Sequence, residues 1–153
     1  MTDNHDAPDK NGLTTIYLAA QNGHLEIIKT LAPLTDNPNA PNKFRVTPIH
    51  RAAFRGHTEI VKILAPLTDN PNAPSKDGWT PIHMAACKGN TEIVKILAPL
   101  TDNPNAPDKN GMTPIFQAAQ NGNTEIVKIL VPLTDNPNAP NQRGVTPIHK
   151  ILH

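Results

Sequence analysis

The sequence predicts an all-α solenoid of stacked helix-turn-helix units joined by short hairpin loops. Three observations carry this. Thr14, Thr47, Thr80, Thr113 and Thr146 each open a near-copy of one phrase, and successive copies lie 33 residues apart. A fixed period of this length is the mark of a repeat architecture. All 17 prolines keep the same period: before the Ile of the phrase, after the second apolar segment, in Asn-Pro-Asn and in Ala-Pro. A proline content that would otherwise read as low-complexity disorder is therefore punctuation. Each unit also repeats one apolar stripe that it cannot bury alone, so neighbouring units must stack.

The unit 75–107 justifies each element in order. Thr80 supplies a hydroxyl for the free N–H groups of a helix start, and Pro81 fits the first helical position. A short helix follows through Ala85 and Ala86, whose small side chains allow close approach to neighbours. Gly89 ends it in a conformation that other residues resist. A second helix begins near Thr91, and Ile93, Val94, Ile96 and Leu97 form one stripe with Glu92 and Lys95 on the outer side. Pro99 stops it. Asp102-Asn103-Pro104-Asn105 is turn chemistry, and Gly111 tips a hairpin leading to Thr113.

The phrases Thr47-Pro48-Ile49-His50, Thr80-Pro81-Ile82-His83, Thr113-Pro114-Ile115-Phe116 and Thr146-Pro147-Ile148-His149, with a degenerate Thr14-Thr15-Ile16-Tyr17, recur beside the alanine pair, the mid-unit Gly and Glu-Ile-Val-Lys-Ile-Leu. This pattern resembles the ankyrin repeat, whose signature is Thr-Pro-Leu-His-x-Ala at this period. The resemblance covers four units (9–41, 42–74, 75–107, 108–140), with a leader 1–8 and a partial unit 141–153, in a single repeat domain 1–153. Asn39, Asn72, Asn105 and Asn138 match the family's Asn-Ala asparagine. Thr35, Thr68, Thr101 and Thr134 stand where the family usually places a helix-ending Gly. The resemblance implies that hairpin tips and first helices line a concave face on which the family binds partners.

Composition bounds the function. Net charge is +1, which calls for neither nucleic acid nor membrane as partner. Cys87 is the single cysteine, so no intrachain disulfide framework exists. Met1 to Asp6 is acidic and polar without an apolar run behind it, and no stretch approaches the ~18 apolar residues of a membrane span. The expected compartment is the cytoplasm.

Comparison of one unit with another locates the recognising surface. Residues 58–74 and 91–107 are identical, and 124–140 differs only at Val131. The front halves 42–57 and 75–90 differ at eight of sixteen positions. Drift at solvated sites would yield mostly polar residues, yet the variable positions carry Phe44, Phe54, Trp79, Arg51, Arg55 and Met84, with Met112 in the next unit. These are the types in which interface centres are enriched. The full candidate set is Phe44, Val46, Arg51, Phe54, Arg55, Lys76, Asp77, Trp79, Met84, Cys87, Lys88 and Met112. The front segments hold ten Lys and Arg, Lys150 included, against three Asp. An acidic partner protein is expected there.

Other chemistry is not supported. His50, His83 and His149 sit one to a unit, where each imidazole is expected to bond locally to cap and loop, and Tyr17 and Phe116 replace them elsewhere. His24 and His57 share a position with Asn90 and Asn123. A metal site is therefore not expected, and no cofactor is implied. Cys87 has Lys88 beside it but no histidine placed to act as its base. Catalysis is not expected. A spacer or array-fragment role without a partner is the main alternative, and base stacking on a basic aromatic face is the lesser one. Oligomeric state is open, with end-to-end association allowed.

Overall fold

The computed structural model describes residues 7–148. The leader residues 1–6 and His149, Lys150, Ile151 and Leu152 lie outside that range. Among the described residues eight helices follow in pairs: α1 (Thr15–Asn22) and α2 (Leu25–Leu31), α3 (Pro48–Arg55) and α4 (Thr58–Leu64), α5 (Pro81–Lys88) and α6 (Thr91–Leu97), α7 (Pro114–Gln120) and α8 (Thr124–Leu130). Among the described residues there is no strand. The predicted all-α repeat stack is what the chain forms. Each second helix runs on into a 3-10 turn, for example Ala98–Leu100 after α6. The proline thus ends the α-helix and opens a tighter turn, because its missing N–H is not needed at a helix start.

The first helices pack side by side more extensively than the second ones do. Ala52, Ala53, Ala85, Ala86 and Ala118 are fully buried at these contacts. Small side chains bring these backbones close. Between the two helix layers lie Ile49, Val61, Leu64, Ile82, Val94, Leu97 and their counterparts. The end unit shows what stacking supplies. Ile60, Ile93 and Ile126 are buried by the preceding unit, whereas the equivalent Ile27 is 41% exposed.

Polar bonds fix the register between units. The Oδ1 of Asn39, Asn72, Asn105 and Asn138 accepts the N–H of Ile49, Ile82, Ile115 and Ile148 at 2.8–3.0 Å. Each asparagine thereby satisfies an otherwise orphaned donor in the first turn of the next unit's helix. The Nδ2 of Asn90 and Asn123 donates across to the carbonyls of Ala53 and Ala86 at 2.7 and 3.1 Å. The loops form a ladder of their own, with Lys43, Lys76, Lys109 and Gln142 donating N–H to the carbonyls of Asn11, Phe44, Asp77 and Asn110.

The histidines join both systems, which corrects the expectation of purely local bonding. Thr47 and Thr80 accept the N–H of His50 and His83 on their hydroxyls, and their own N–H groups donate back to Nδ1 at 3.0 and 3.1 Å. An Nδ1 that accepts leaves the proton on Nε2. That nitrogen donates to the carbonyl of Trp79 from His50 at 2.7 Å and of Met112 from His83 at 2.8 Å. Both acceptors belong to the next unit. Tyr17 and Phe116 cannot make either bond, and there the threonine cap stands without its reciprocal half.

The second-helix termini explain the threonines found where glycine was expected. Thr35 is extended, with φ −108°, and its hydroxyl donates to the Leu31 carbonyl at 2.7 Å. Thr68, Thr101 and Thr134 are likewise extended, so an extended residue follows the helix in every unit where a left-handed one was expected, with a side-chain bond added at Thr35. At the hairpin tips glycine is retained for contact reasons. A Cβ on Gly78 would lie 2.9 Å from the Asp108 Cα of the next loop. Arg45 occupies that tip position in the second unit and holds φ 62°, alone in this among the described non-glycine residues.

Two outcomes follow from these arrangements. Burial, first of all, pushes the His50 pKa down to about 4, and burial lowers that of His83 as well. The unfolded chain therefore binds more protons between pH 6.5 and about 4, so stability falls as pH is lowered through that window. Urea unfolding at pH 7.5 and pH 5 is expected to show the loss, at up to about 1.4 kcal/mol per pH unit for His50, with His83 acting in the same direction. A His50→Phe variant, matching the residue at 116, is expected to show a shallower slope. Arg45→Gly is expected to raise stability by about 1 kcal/mol by relieving the left-handed strain, read as a higher denaturation midpoint with unchanged m.

Candidate protein-binding face

The first helices present three outward rows, one residue per unit in each. Leu18, Arg51, Met84 and Gln117 make the first row. Gln21, Phe54, Cys87 and Gln120 make the second, and Asn22, Arg55, Lys88 and Asn121 the third. The spacing i, i+3, i+4 puts each set on one helix side. The two central helices thus bring together Arg51, Phe54, Arg55, Met84, Cys87 and Lys88, with polar uncharged residues dominating the flanking helices. No Asp or Glu occurs in α1, α3, α5 or α7.

Phe54 is the centre of this cluster. The Arg51 guanidinium carbon lies 5.5 Å and the Lys88 Nζ 4.8 Å from its ring centroid. Both are within cation–π range. Arg51 is also held from the neighbouring unit, its Nε donating to Gln21 Oε1 at 3.2 Å. Met84 and Cys87 are half-buried beside it, and Arg55 and Lys88 are exposed. Asn121 donates to the Cys87 carbonyl at 3.0 Å.

The loop candidates divide into exposed and structural ones. Phe44 is 55% exposed at its tip, with Lys43 Nζ 5.2 Å from the ring centroid. Lys76 is exposed. Asp77 pairs with Lys109 of the next loop at 2.9 Å. Val46, Trp79 and Met112 are half-buried at one shared position, just before the capping threonine. Trp79 lies against His83 with ring centroids 5.6 Å apart, and its carbonyl receives His50. It supports the stack as well as lining the face. Met112 accepts a weak bond from Asn141 Nδ2 at 3.7 Å on its sulfur.

Two residues of this surface escaped sequence reasoning. Gln21 orients Arg51 from the preceding unit, 30 residues away, and no spacing rule pairs them. Arg45 had a signal, since it alone breaks a column of tip glycines at 12, 78, 111 and 144. Among the described residues no group of three or more His, Cys, Asp or Glu could hold a metal ion. The two buried imidazoles spend both ring nitrogens on structural bonds. No helix among the described residues is long and apolar enough to cross a membrane.

Comparison with known proteins agrees with this architecture. A family model described as Ankyrin repeats (3 copies) matches residues 2–74, 67–141 and 99–152. No curated protein sequence matches the chain. With the repeat register, the helix pairs and nearly the whole length accounted for, the chain belongs to the ankyrin repeat family.

Proposed function

We propose that this chain is a non-catalytic binding module that holds an acidic partner protein on the concave side of the stack. Ankyrin repeats are generally protein-interaction modules, and their fold is typically non-catalytic. The single observation that carries the finer reading is the composition of the outward rows. The helical part of the region where units diverge gathers Phe54, Met84, Arg51, Arg55 and Lys88 on two neighbouring first helices, in a surface without a single helical carboxylate. Aromatic, methionine and arginine side chains give large contact area and directional bonds. The excess of positive charge favours encounter with an acidic surface.

A second reading, end-to-end association of copies, is favoured by the exposed Ile27, whose counterparts are buried wherever a unit precedes them. Sedimentation velocity across a concentration series tests it, and an Ile27→Glu variant is expected to abolish any concentration-dependent growth in mass.

The binding reading is tested by capture from nuclease-treated lysate, with wild type beside an Arg51→Ala, Arg55→Ala, Trp79→Ala variant. A protein retained by the first and lost by the second is expected, with circular dichroism showing both folded. Retention by both, or by neither, overturns the reading. Once a partner is in hand, Arg51→Ala is expected to weaken binding by ~2 kcal/mol, roughly 30-fold, as an anchor residue does.

A further inference from the structure

Arg51 and Lys88, which reach the Phe54 ring, and Arg55 beside it in sequence have no counter-ion among the described residues. Among the described residues, ion pairs join Lys62 to Glu59, Lys95 to Glu92 and Lys128 to Glu125 on second helices, and Lys109 to Asp77 between loops. Arg51, Arg55 and Lys88 take part in none. Arg55 and Lys88 close the last turns of α3 and α5, where positive charge complements the helix dipole. That accounts for their sign but not for Arg51, which lies one turn earlier in α3.

Arg51 is built for a purpose beyond packing. Gln21 takes its Nε–H, and the guanidinium carbon lies 5.5 Å from the Phe54 ring centroid. Both constraints leave the two terminal amino groups unpaired, in the fork geometry that grips two oxygens at once. Lys88 sits on the same ring from the next helix, at 4.8 Å. A carboxylate would balance only one of three charges. A phosphomonoester carries about −1.5 to −2 charge with three strong acceptor oxygens.

Resting on the binding reading above, we propose that Arg51 and Lys88, both against the Phe54 ring, together with Arg55 in the last turn of α3, form a subsite for a phosphorylated serine or threonine side chain of the partner protein. Arg51 grips two phosphoryl oxygens, Lys88 meets the third, and Arg55 adds charge from the helix end. Phe54, Met84 and Cys87 supply apolar contact for the residues flanking the phosphate. Nucleic-acid phosphate is the less suitable occupant, because the net charge is only +1 and the one exposed tip aromatic, Phe44, lies on a separate loop.

The test is an NMR titration of 15N-labelled protein at pH 7.5 with three probes: N-acetyl-phosphoserine methylamide, N-acetyl-glutamate methylamide and an oligothymidylate. The phosphoserine probe is expected to shift the Arg51 Nε–H and the Lys88 amide saturably, at least ~10-fold more tightly than the glutamate probe. Arg51→Gln is expected to abolish the shifts. Gln21→Ala, which keeps all three cations but unpins Arg51, is expected to weaken them several-fold, with spectral dispersion confirming that both variants are folded. Absence of saturable shifts, equal binding of the two amino-acid probes, or tighter binding of the oligonucleotide on the same residues overturns the subsite. Capture from phosphatase-treated lysate separates this from the broader reading. A partner held by the wild-type face from treated and untreated lysate alike removes the phosphate subsite and leaves protein binding standing. No capture from either removes the binding reading, while the probe titration still decides the subsite.

Discussion

The structure depends on one constraint: a 33-residue unit has two helices and no interior. Each helix has an apolar side that only the adjoining unit can cover. Ile60, Ile93 and Ile126 are dry and Ile27 is not, although all four stand in the same local sequence, Glu-Ile followed by an apolar residue and Lys. Burial here is a property of the junction. The polar bonds follow the same logic. The asparagine of one unit caps the next unit's helix, and the imidazole of one unit holds the next unit's loop. In a stack where stability is close to a sum of unit and junction contributions, such bonds set how rigidly the units are aligned.

That constraint also divides the unit into two kinds of surface. The second helix and its following turn meet the unit's own first helix and the second helices on either side, which leaves little freedom. The back halves are accordingly almost invariant between units. The outward rows of the first helices are exposed or half-buried and hold no fully buried side chain, so they can change with little disturbance to a junction. Trp79 is the exception that shows the rule's physical basis. Its side chain rests on His83 and its carbonyl receives His50, so a residue at the edge of the variable face also belongs to a junction.

The fold was legible in the sequence because its determinants are local and repeated: the capping threonine, proline at the first helical position, glycine at the left-handed cap and the stripe of the second helix. Five in-phase copies averaged out the degeneracy of the first. What sequence did not reveal were bonds between units. His50 to Trp79 spans 29 residues and Asn90 to Ala53 spans 37, and neither separation equals the repeat period. The variable face was legible as a list of positions, since unit-to-unit differences mark it. Its geometry was not. That Arg51 and Lys88 both reach the Phe54 ring and that Gln21 pins Arg51 depend on the rotation of adjacent helices, which side-chain spacing within one helix does not specify.

The cluster around Phe54 also bears on why a face of this kind belongs on a stack. Three cations with no acid in the surrounding helices repel one another, and solvent exposure alone would leave their long side chains mobile. Here the ring and the Gln21 amide hold Arg51 before any ligand arrives, and holding it requires two units in fixed alignment. The rotamer entropy that a flexible arginine would lose on binding is therefore lost on folding instead. Junctions made rigid by buried asparagine and histidine bonds are what make this possible, because a slack junction would let Gln21 and Lys88 drift away from α3. Alignment between units, set in the buried layer, determines how firmly Arg51 is held in the exposed layer.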